Sequence, residues 1–262
     1  MYKEELLFYV LRKYGRAAIA YSGGADSALL LAAAVRTLGR ENVLAVIATS
    51  PSMPHGELDA ALAPERTRGA ECVVVRPGET DDPEYAANTP DRCYICKRII
   101  FGAIAAAAAE RGFTTVLDGE NADDANDTRP GRRAAKEAGV RSPLADVGYT
   151  KDEIRALSAG WGLQTAQKPA MACLATRVPF GVRITPEILG RIDRAESALR
   201  AAGFGHCRVR HHGDVARIEA PPERLAEIVA EGMRERIAGE IKAAGYKFVT
   251  ADLLGYKMGG GA

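Results

Sequence analysis

The sequence predicts an α/β fold, a doubly wound parallel sheet, followed by a small C-terminal α+β domain. Short apolar runs alternate with helical stretches from Arg16 to Gly162, as right-handed strand–helix crossovers require. A glycine turn, Ser22-Gly23-Gly24-Ala25-Asp26-Ser27, joins the first such run to the first long helix. After Gly181 the pattern changes to helix, strand, strand, helix, strand. This places domains at residues 1–178 and 179–262.

Lys3 to Tyr14 carries apolar residues at Leu6, Leu7, Val10 and Leu11, the spacing of an amphipathic helix. Arg16 to Tyr21 (RAAIAY) and Asn42 to Ala48 (NVLAVIA) read as buried strands, with a helix from Ser27 to Leu38 between them. Glu57 to Gly69 reads as the next helix and Glu71 to Arg76 as the third strand, with Cys72 a small core residue. Pro77 to Pro90 is polar and turn-rich, as an active-site loop would be. A helix from Arg98 to Arg111 leads to a strand at Thr114 to Leu117. That strand ends in Asp118-Gly119-Glu120-Asn121-Ala122-Asp123-Asp124, on the side of an open α/β sheet where ligands bind. Asp123 and Asp124 are candidates to hold Mg²⁺ or orient a substrate; a solvated acidic loop is an equal alternative. Arg141 to Asp146 and a helix from Lys151 to Ala159 complete this half. Beyond it, Thr185 caps a helix from Pro186 to Ala202. Strands at His206 to Arg210 and Val215 to Glu219, a helix at Pro222 to Ala244 and a strand at Lys247 to Ala251 follow, with a disordered tail from Met258 to Ala262.

Hydrophobic residues make up 47% of the chain and charged residues 26%, ample for a core. A formal net charge of +1 demands neither a nucleic acid nor a membrane as partner. No apolar leader precedes the first helix, and Ala103 to Ala109 is too short to span a bilayer, so a cytoplasmic location is expected. Five cysteines in such a chain point to metal or reactive roles rather than disulfides.

The turn at Ser22–Ser27 has the makings of an anion site. Unpaired N–H groups and the positive end of the dipole converge at a helix N-terminus, glycines allow close approach, and Ser22 and Ser27 add hydroxyls. No Lys-Ser or Lys-Thr pair follows, and G-x-G-x-x-G is absent, so neither a Walker loop nor a dinucleotide fingerprint is present. SGGADS resembles the pyrophosphate-binding loop of the ATP pyrophosphatase (PP-loop) enzymes. Those enzymes split ATP between the α and β phosphates and adenylylate an oxygen of their substrate.

Cys93 and Cys96 form C-x-x-C at a helix start, and Cys173 stands alone between small residues. From the residues alone a redox dithiol, a zinc site and an iron–sulfur cluster with a third cysteine remain open. Cys207 lies beside His206, His211 and His212, but alternation along a strand keeps these groups from converging. Arg208 and Arg210, two apart on a strand, share a face and read by themselves as a solvated surface.

SGGADS, RCYICK, DGENADD, RSPLAD and KPAMACLATRVPFG, in this order, resemble the LarE family over most of the chain. The resemblance implies an ATP-dependent sulfur transferase of nickel-pincer nucleotide cofactor synthesis. Its substrate would be pyridinium-3,5-biscarboxylic acid mononucleotide, adenylylated on a ring carboxylate and converted to a thiocarboxylate. ATP with Mg²⁺ would sit on Ser22, Gly23, Gly24, Asp26 and Ser27, with Asp26 placing the metal or the loop. Cys93, Cys96 and Cys173 would hold a [4Fe–4S] cluster that carries the sulfur; in another branch of the family the cysteine at the position of Cys173 is itself consumed. Lys97, Thr176 and Arg177 would line the pocket, and Arg208 and Arg210, helped by Glu196, would grip phosphate. Glu120 departs from the small or hydroxyl residue usual there. The family also implies a homo-oligomer, with a hexamer among the assemblies it allows. A PP-loop tRNA thiolase is disfavoured by the charge and the single C-x-x-C, and an amidating ligase by idle cysteines. A non-catalytic ATP- and cluster-binding sensor predicts nucleotide binding without pyrophosphate release.

Overall fold

The computed structural model describes residues 2–126, 130–169 and 171–256. The tail from Met258 to Ala262, expected to be disordered, lies outside them. In chain order the helices are α1 (Lys3–Arg12), α2 (Ala25–Leu38), α3 (Glu57–Leu62), α4 (Pro64–Thr67), α5 (Pro83–Ala86), α6 (Arg92–Ala109), α7 (Pro130–Glu137), α8 (Pro143–Val147), α9 (Lys151–Gly160), α10 (Pro186–Ala201), α11 (Leu225–Val229) and α12 (Met233–Ala243). The strands are β1 (Ala17–Ala20), β2 (Val43–Ala48), β3 (Glu71–Val75), β4 (Val116–Leu117), β5 (Arg208–His212), β6 (Val215–Glu219) and β7 (Phe248–Ala251). The chain divides into two compact units. One holds Met1–Ser50, Gly56–Glu79 and Asp91–Met171; the other holds Pro51–His55, Thr80–Pro90 and Ala172–Ala262.

The first unit is built on a parallel sheet of order β3-β2-β1-β4. β1 (AAIA) and β2 (VLAVIA) are apolar almost throughout because both faces of the sheet are covered. On one face Ala18, Leu44 and Val46 pack with Phe101, Ile104 and Ala108 of α6. Side chains alternate along a strand, so Ile19, Ala45 and Ile47 turn to the other face, where α2 buries Leu29, Leu30 and Leu31. Each such aliphatic side chain contributes about 1.5–3 kcal/mol on burial. This is the doubly wound α/β arrangement that the alternation of elements predicts. The strand expected from Thr114 is shorter, Val116–Leu117, and is extended by a bridge between Leu117 and Arg141.

The second unit contains the sheet β5-β6-β7, antiparallel between β5 and β6 and parallel between β6 and β7. Leu199 of α10, Phe204, Val209, Ile218, and Ile237 and Ile241 of α12 form its core. Thr185 accepts the Ile188 N–H and Pro186 opens α10, the predicted cap. The segment Pro77 to Pro90, expected to be an active-site loop, contains the short helix α5, capped by Asp82, whose carboxylate accepts from the Glu84 and Tyr85 amides. Asn88, fully buried, anchors it by donating to the Pro179 and Val182 carbonyls at 2.7 and 2.9 Å.

Other boundaries differ for local reasons. The helix expected at Glu57 to Gly69 breaks into α3 and α4, because Pro64 forces Ala63 to an extended ψ of 131°. The helix expected at Pro222 to Ala244 breaks at Ala230, which is extended, and Gly232, at φ 78°. α6 starts at Arg92 rather than Arg98, so both cysteines of the C-x-x-C lie inside it. The strand expected at His206 to Arg210 runs from Arg208 to His212.

His211 is 3% exposed and its Nδ1 lies 3.2 Å from the Tyr246 hydroxyl. Burial, then the Arg191 charge, holds its pKa below the usual 6.5. The unfolded chain therefore takes up this proton first, and stability is lost as pH falls below about 6.5, by about 1.4 kcal/mol per unit of depression. His211→Gln should flatten the decline of melting temperature between pH 7.5 and 5.5, with His212, whose pKa burial also lowers, still contributing in the same direction. An unchanged slope would count against this.

Candidate active site

β1 ends at the loop, and α2 begins where the loop ends. Gly23 has φ 70°, and a Cβ there would stand 2.9 Å from the Ala61 side chain, so glycine is required on both counts. Gly24 caps α2 with no side-chain hydrogen bond to the first amides. Ser22 and Ser27 close the loop, their hydroxyls 3.0 Å apart, with the Ser22 amide donating to Ser27 Oγ at 3.2 Å. Gly119, just past β4, comes so close that a Cβ would meet the Ser27 amide nitrogen at 2.7 Å. Backbone from two strand ends thus converges on one helix N-terminus.

On one side the loop borders a cavity of about 210 Å³ lined by Ser22, Asp26, Glu57, Lys151 and Lys168. Lys151 Nζ donates to both Asp26 carboxylate oxygens at 2.6 Å. Lys168 Nζ donates to Glu57 at 2.5 Å and to the Gly23 carbonyl at 3.0 Å. Lys151 is set at the start of α9 by a capping box between Thr150 and Glu153, and its amide donates to Asp123 at 2.7 Å.

On the other side lies a cavity of about 270 Å³ lined by Asp26, Ser27, Lys97, Asp118, Glu120, Asp124 and Arg132. Asp118 accepts from Ser142 Oγ at 2.7 Å and from the Glu120 amide at 3.2 Å. Burial pushes its carboxyl above the ordinary range against the pull of those hydrogen bonds. Burial also raises Glu120, opposed by Arg132, whose Nε donates to it at 2.6 Å. Of the two acids proposed for Mg²⁺ or substrate, Asp124 lines this cavity, whereas Asp123 ties the loop to α9.

Cys93, exposed, and Cys96, half-buried, are one turn apart near the start of α6, directly before Lys97. Cys173, also half-buried, stands at the head of a short 3₁₀ turn, Leu174–Arg177, in the second unit. All five cysteines are thiols outside any disulfide. Cys72 and Cys207 are the packing residues: burial raises both thiols, Cys207 to about 11. Three thiols are a donor set suited to an iron–sulfur cluster. Among the described residues, however, no three His, Cys, Asp or Glu side chains are gathered as a metal site.

The second unit's predicted site residues form a brace. The side chain of Arg177 is 1% exposed; its Nε and Nη2 donate to the two Glu196 oxygens at 2.8 and 3.1 Å. Its Nη1 donates to Thr176 Oγ1 and to the Ala172 and Cys173 carbonyls at 2.8, 3.0 and 3.1 Å. Glu196 also accepts the Val209 amide at 3.0 Å. Arg210 donates to Glu219 at 2.9 Å and to the Thr176 carbonyl at 2.6 Å. Arg208 takes a different direction: it donates to the Cys207 carbonyl at 3.0 Å and lies 5.5 Å from the Tyr256 ring centroid. Burial, then the nearby Arg177 charge, lowers its pKa, so this is a crowded cationic spot that would welcome an anion.

No family model matches the chain. It is 35% identical, over 98% of its length, to the pyridinium-3,5-bisthiocarboxylic acid mononucleotide synthase of Lactiplantibacillus plantarum, 92% of which is covered. The chain belongs to the LarE family. An uncharacterized protein of Synechocystis sp. is 42% identical over 93% of this chain and 91% of its own length. A stretch of 42% of the chain is 36% identical to the tRNA(Ile)-lysidine synthase of Polaromonas naphthalenivorans, 32% of which it covers, in keeping with a PP-loop fold.

In this LarE-family chain the loop residues, Lys97 and Asp124 line one cavity at the N-terminus of α2. Lys151 and Lys168 were not singled out in the sequence; the helix-start signal Thr150-x-x-Glu153 beside a strand end was the clue available. The contact at Gly119 gives a direct test of the geometry. Gly119→Ala should destabilise the protein by about 1–3 kcal/mol in urea unfolding, and an unchanged midpoint would show that the backbone yields freely there.

Proposed function

We propose that this protein is an ATP-dependent sulfur transferase. It adenylylates a ring carboxylate of pyridinium-3,5-biscarboxylic acid mononucleotide and converts it to a thiocarboxylate for nickel-pincer nucleotide synthesis. One observation carries the reading above the others. In a chain similar along 98% of its length to a synthase of the bisthiocarboxylated mononucleotide, the Ser22–Ser27 loop borders a lysine-lined cavity and an acid-rich one.

The open amides of α2 receive the β and γ phosphates of ATP, and Lys151 and Lys168 exchange their carboxylate partners for phosphate oxygens. Asp26, released from Lys151, and Asp124 are the residues that would hold Mg²⁺, which supplies charge neutralisation as pyrophosphate leaves. The substrate carboxylate, oriented by Lys97, attacks the α-phosphorus, and pyrophosphate departs. A sulfur nucleophile then attacks the acyl carbon, and AMP departs with the oxygen. Cys93, Cys96 and Cys173 would hold a [4Fe–4S] cluster, which supplies a transferable sulfide. Arg208 meets the phosphate of the mononucleotide. Thr176, Arg177, Glu196 and Arg210 act by holding the turn that carries Cys173. The reading involves neither nucleic acid nor membrane, and no helix among the described residues is long and apolar enough to cross one.

A second reading, in which Cys173 gives up its own sulfur and becomes dehydroalanine, rests on the place of Cys173 at the head of the braced turn Leu174–Arg177.

The test is an anaerobic preparation assayed for iron, acid-labile sulfide, pyrophosphate and thiocarboxylate. We expect pyrophosphate release that depends on the dicarboxylate nucleotide. Cys173→Ala should stop product formation while leaving adenylylation in place. Loss of colour and of multiple turnovers in Cys93→Ala and Cys96→Ala supports the cluster. One product per chain with a mass loss at Cys173 supports the sacrificial route. ATP binding with no pyrophosphate release would leave a sensor instead of an enzyme. Lys151→Ala should weaken ATP binding by roughly 2 kcal/mol, about thirtyfold, read as the KM for ATP in the pyrophosphate assay; an unchanged KM would remove Lys151 from the phosphate site.

A further inference from the structure

Another cavity of the first unit, about 110 Å³, lies between α2, α4 and the turn that follows α9. Ala28, Glu65, Arg66, Arg68, Gln164 and Thr165 line it, and none of these borders either loop cavity. Nη1 of Arg66 is buried with no hydrogen-bond partner. Thr165 is 2% exposed, and its hydroxyl is likewise buried and unpartnered. Arg68 is held at the rim with φ 56°, and its Nη2 reaches the Trp161 carbonyl at 3.4 Å. Among the described residues neither guanidinium has a carboxylate partner; Glu65 lines the same cavity without pairing to either.

A guanidinium N–H taken from water and left unpaired is destabilising, so native proteins rarely leave one. Here two side chains from separate elements leave donors unsatisfied around one space, and Gln164 adds an amide. Arginine only donates, and the threonine hydroxyl can donate too, so the missing occupant is an acceptor. The space exceeds the roughly 30 Å³ share of a water molecule, and a guanidinium fork fits the oxygens of a tetrahedral anion. With two positive groups against one carboxylate, the lining favours negative charge.

We propose that this cavity binds a small tetrahedral oxyanion of the phosphate or sulfate class, separately from the nucleotide loop. The site is independent of the sulfur-transfer reading, since no residue in it takes part in that reaction.

Phenylglyoxal labelling of the full chain, mapped by peptide mass at constant ionic strength, tests it. Rising inorganic phosphate should protect Arg68 in a saturable way, with sulfate equivalent and chloride without effect. Arg66→Gln should weaken that protection by about tenfold, and Thr165→Val, close in shape, by about threefold. Ser27→Ala, which alters the nucleotide loop, should leave it in place. Equal protection by chloride, protection unchanged in both cavity variants, or protection lost in Ser27→Ala would overturn the proposal. So would no protection at all, the outcome expected if only water fills the space. Should Arg66→Gln fail to fold by circular dichroism, the Thr165→Val comparison decides.

Discussion

Three stretches of backbone meet at the first turn of α2, and the geometry of the candidate site follows from that meeting. Gly23 passes under Ala61, Gly24 caps the helix, and Gly119 stands against the Ser27 amide where no Cβ fits. A helix N-terminus offers amides and dipole only if its first turn stays uncovered by side chains. Parallel pairing of β1 with β4 delivers Gly119 to that point, and with it come Asp118 and the acidic turn. The same sheet explains why α6 and α9, which contribute Lys97 and Lys151, start near the strands' carboxyl ends. A side chain at Gly119 would push these groups apart, so the chemistry and the packing share one steric constraint.

The charges around this point fall into two kinds. Lys151 with Asp26, Lys168 with Glu57 and Arg132 with Glu120 are all partly exposed. Pairs of that kind add little to stability, at most about 1 kcal/mol each. On the proposed reading their value lies in exchange: each lysine is held in place by a weak pair that an incoming phosphate would replace. Arg177 with Glu196 is different, with side chains 1% and 3% exposed and each bonded to backbone as well. Removing one partner of such a pair strands a charge, a loss of about 3–5 kcal/mol. A group so committed cannot readily turn to a substrate, whereas Arg208, with one carbonyl and an aromatic neighbour, can.

The difference also explains what could be read from the sequence. The loop was legible because its glycines, serines and flanking apolar runs are adjacent, and local chemistry decides their conformation. Helix α10 was legible for the same reason, through Thr185 and Pro186. The breaks at Ala63 and Ala230 also have local causes in Pro64 and Gly232, but helix-forming residues on both sides of each mask the stop. The brace at Arg177 was illegible. Its partners lie 19 and 34 residues away, and the i, i+2 spacing of Arg208 and Arg210 suggested a shared task. Strand pairing sets Arg208 opposite Glu219 and Arg210 opposite Arg217, yet it is Arg210 that reaches Glu219, diagonally, while Arg208 turns to the Cys207 carbonyl. Lys151 fell between these cases: its helix start was legible, but its reach to Asp26, 125 positions away, was not.

The cysteines show how burial narrows a chemical choice that composition leaves open. A thiol acts as ligand or nucleophile through its thiolate, and an apolar surrounding suppresses that form. Cys207 sits in the second unit's core with its thiol raised to about 11, and burial raises Cys72 within β3. Cys93 is exposed, and Cys72, Cys96 and Cys173 are all half-buried. Packing therefore sets Cys207 aside most clearly, while Cys72 lies within β3; the three cysteines that the motifs assign sit in RCYICK and KPAMACLATRVPFG. Arg177 donates to the carbonyl of Cys173 itself, at 3.1 Å. That bond fixes the backbone that carries the thiol, whichever route the sulfur takes.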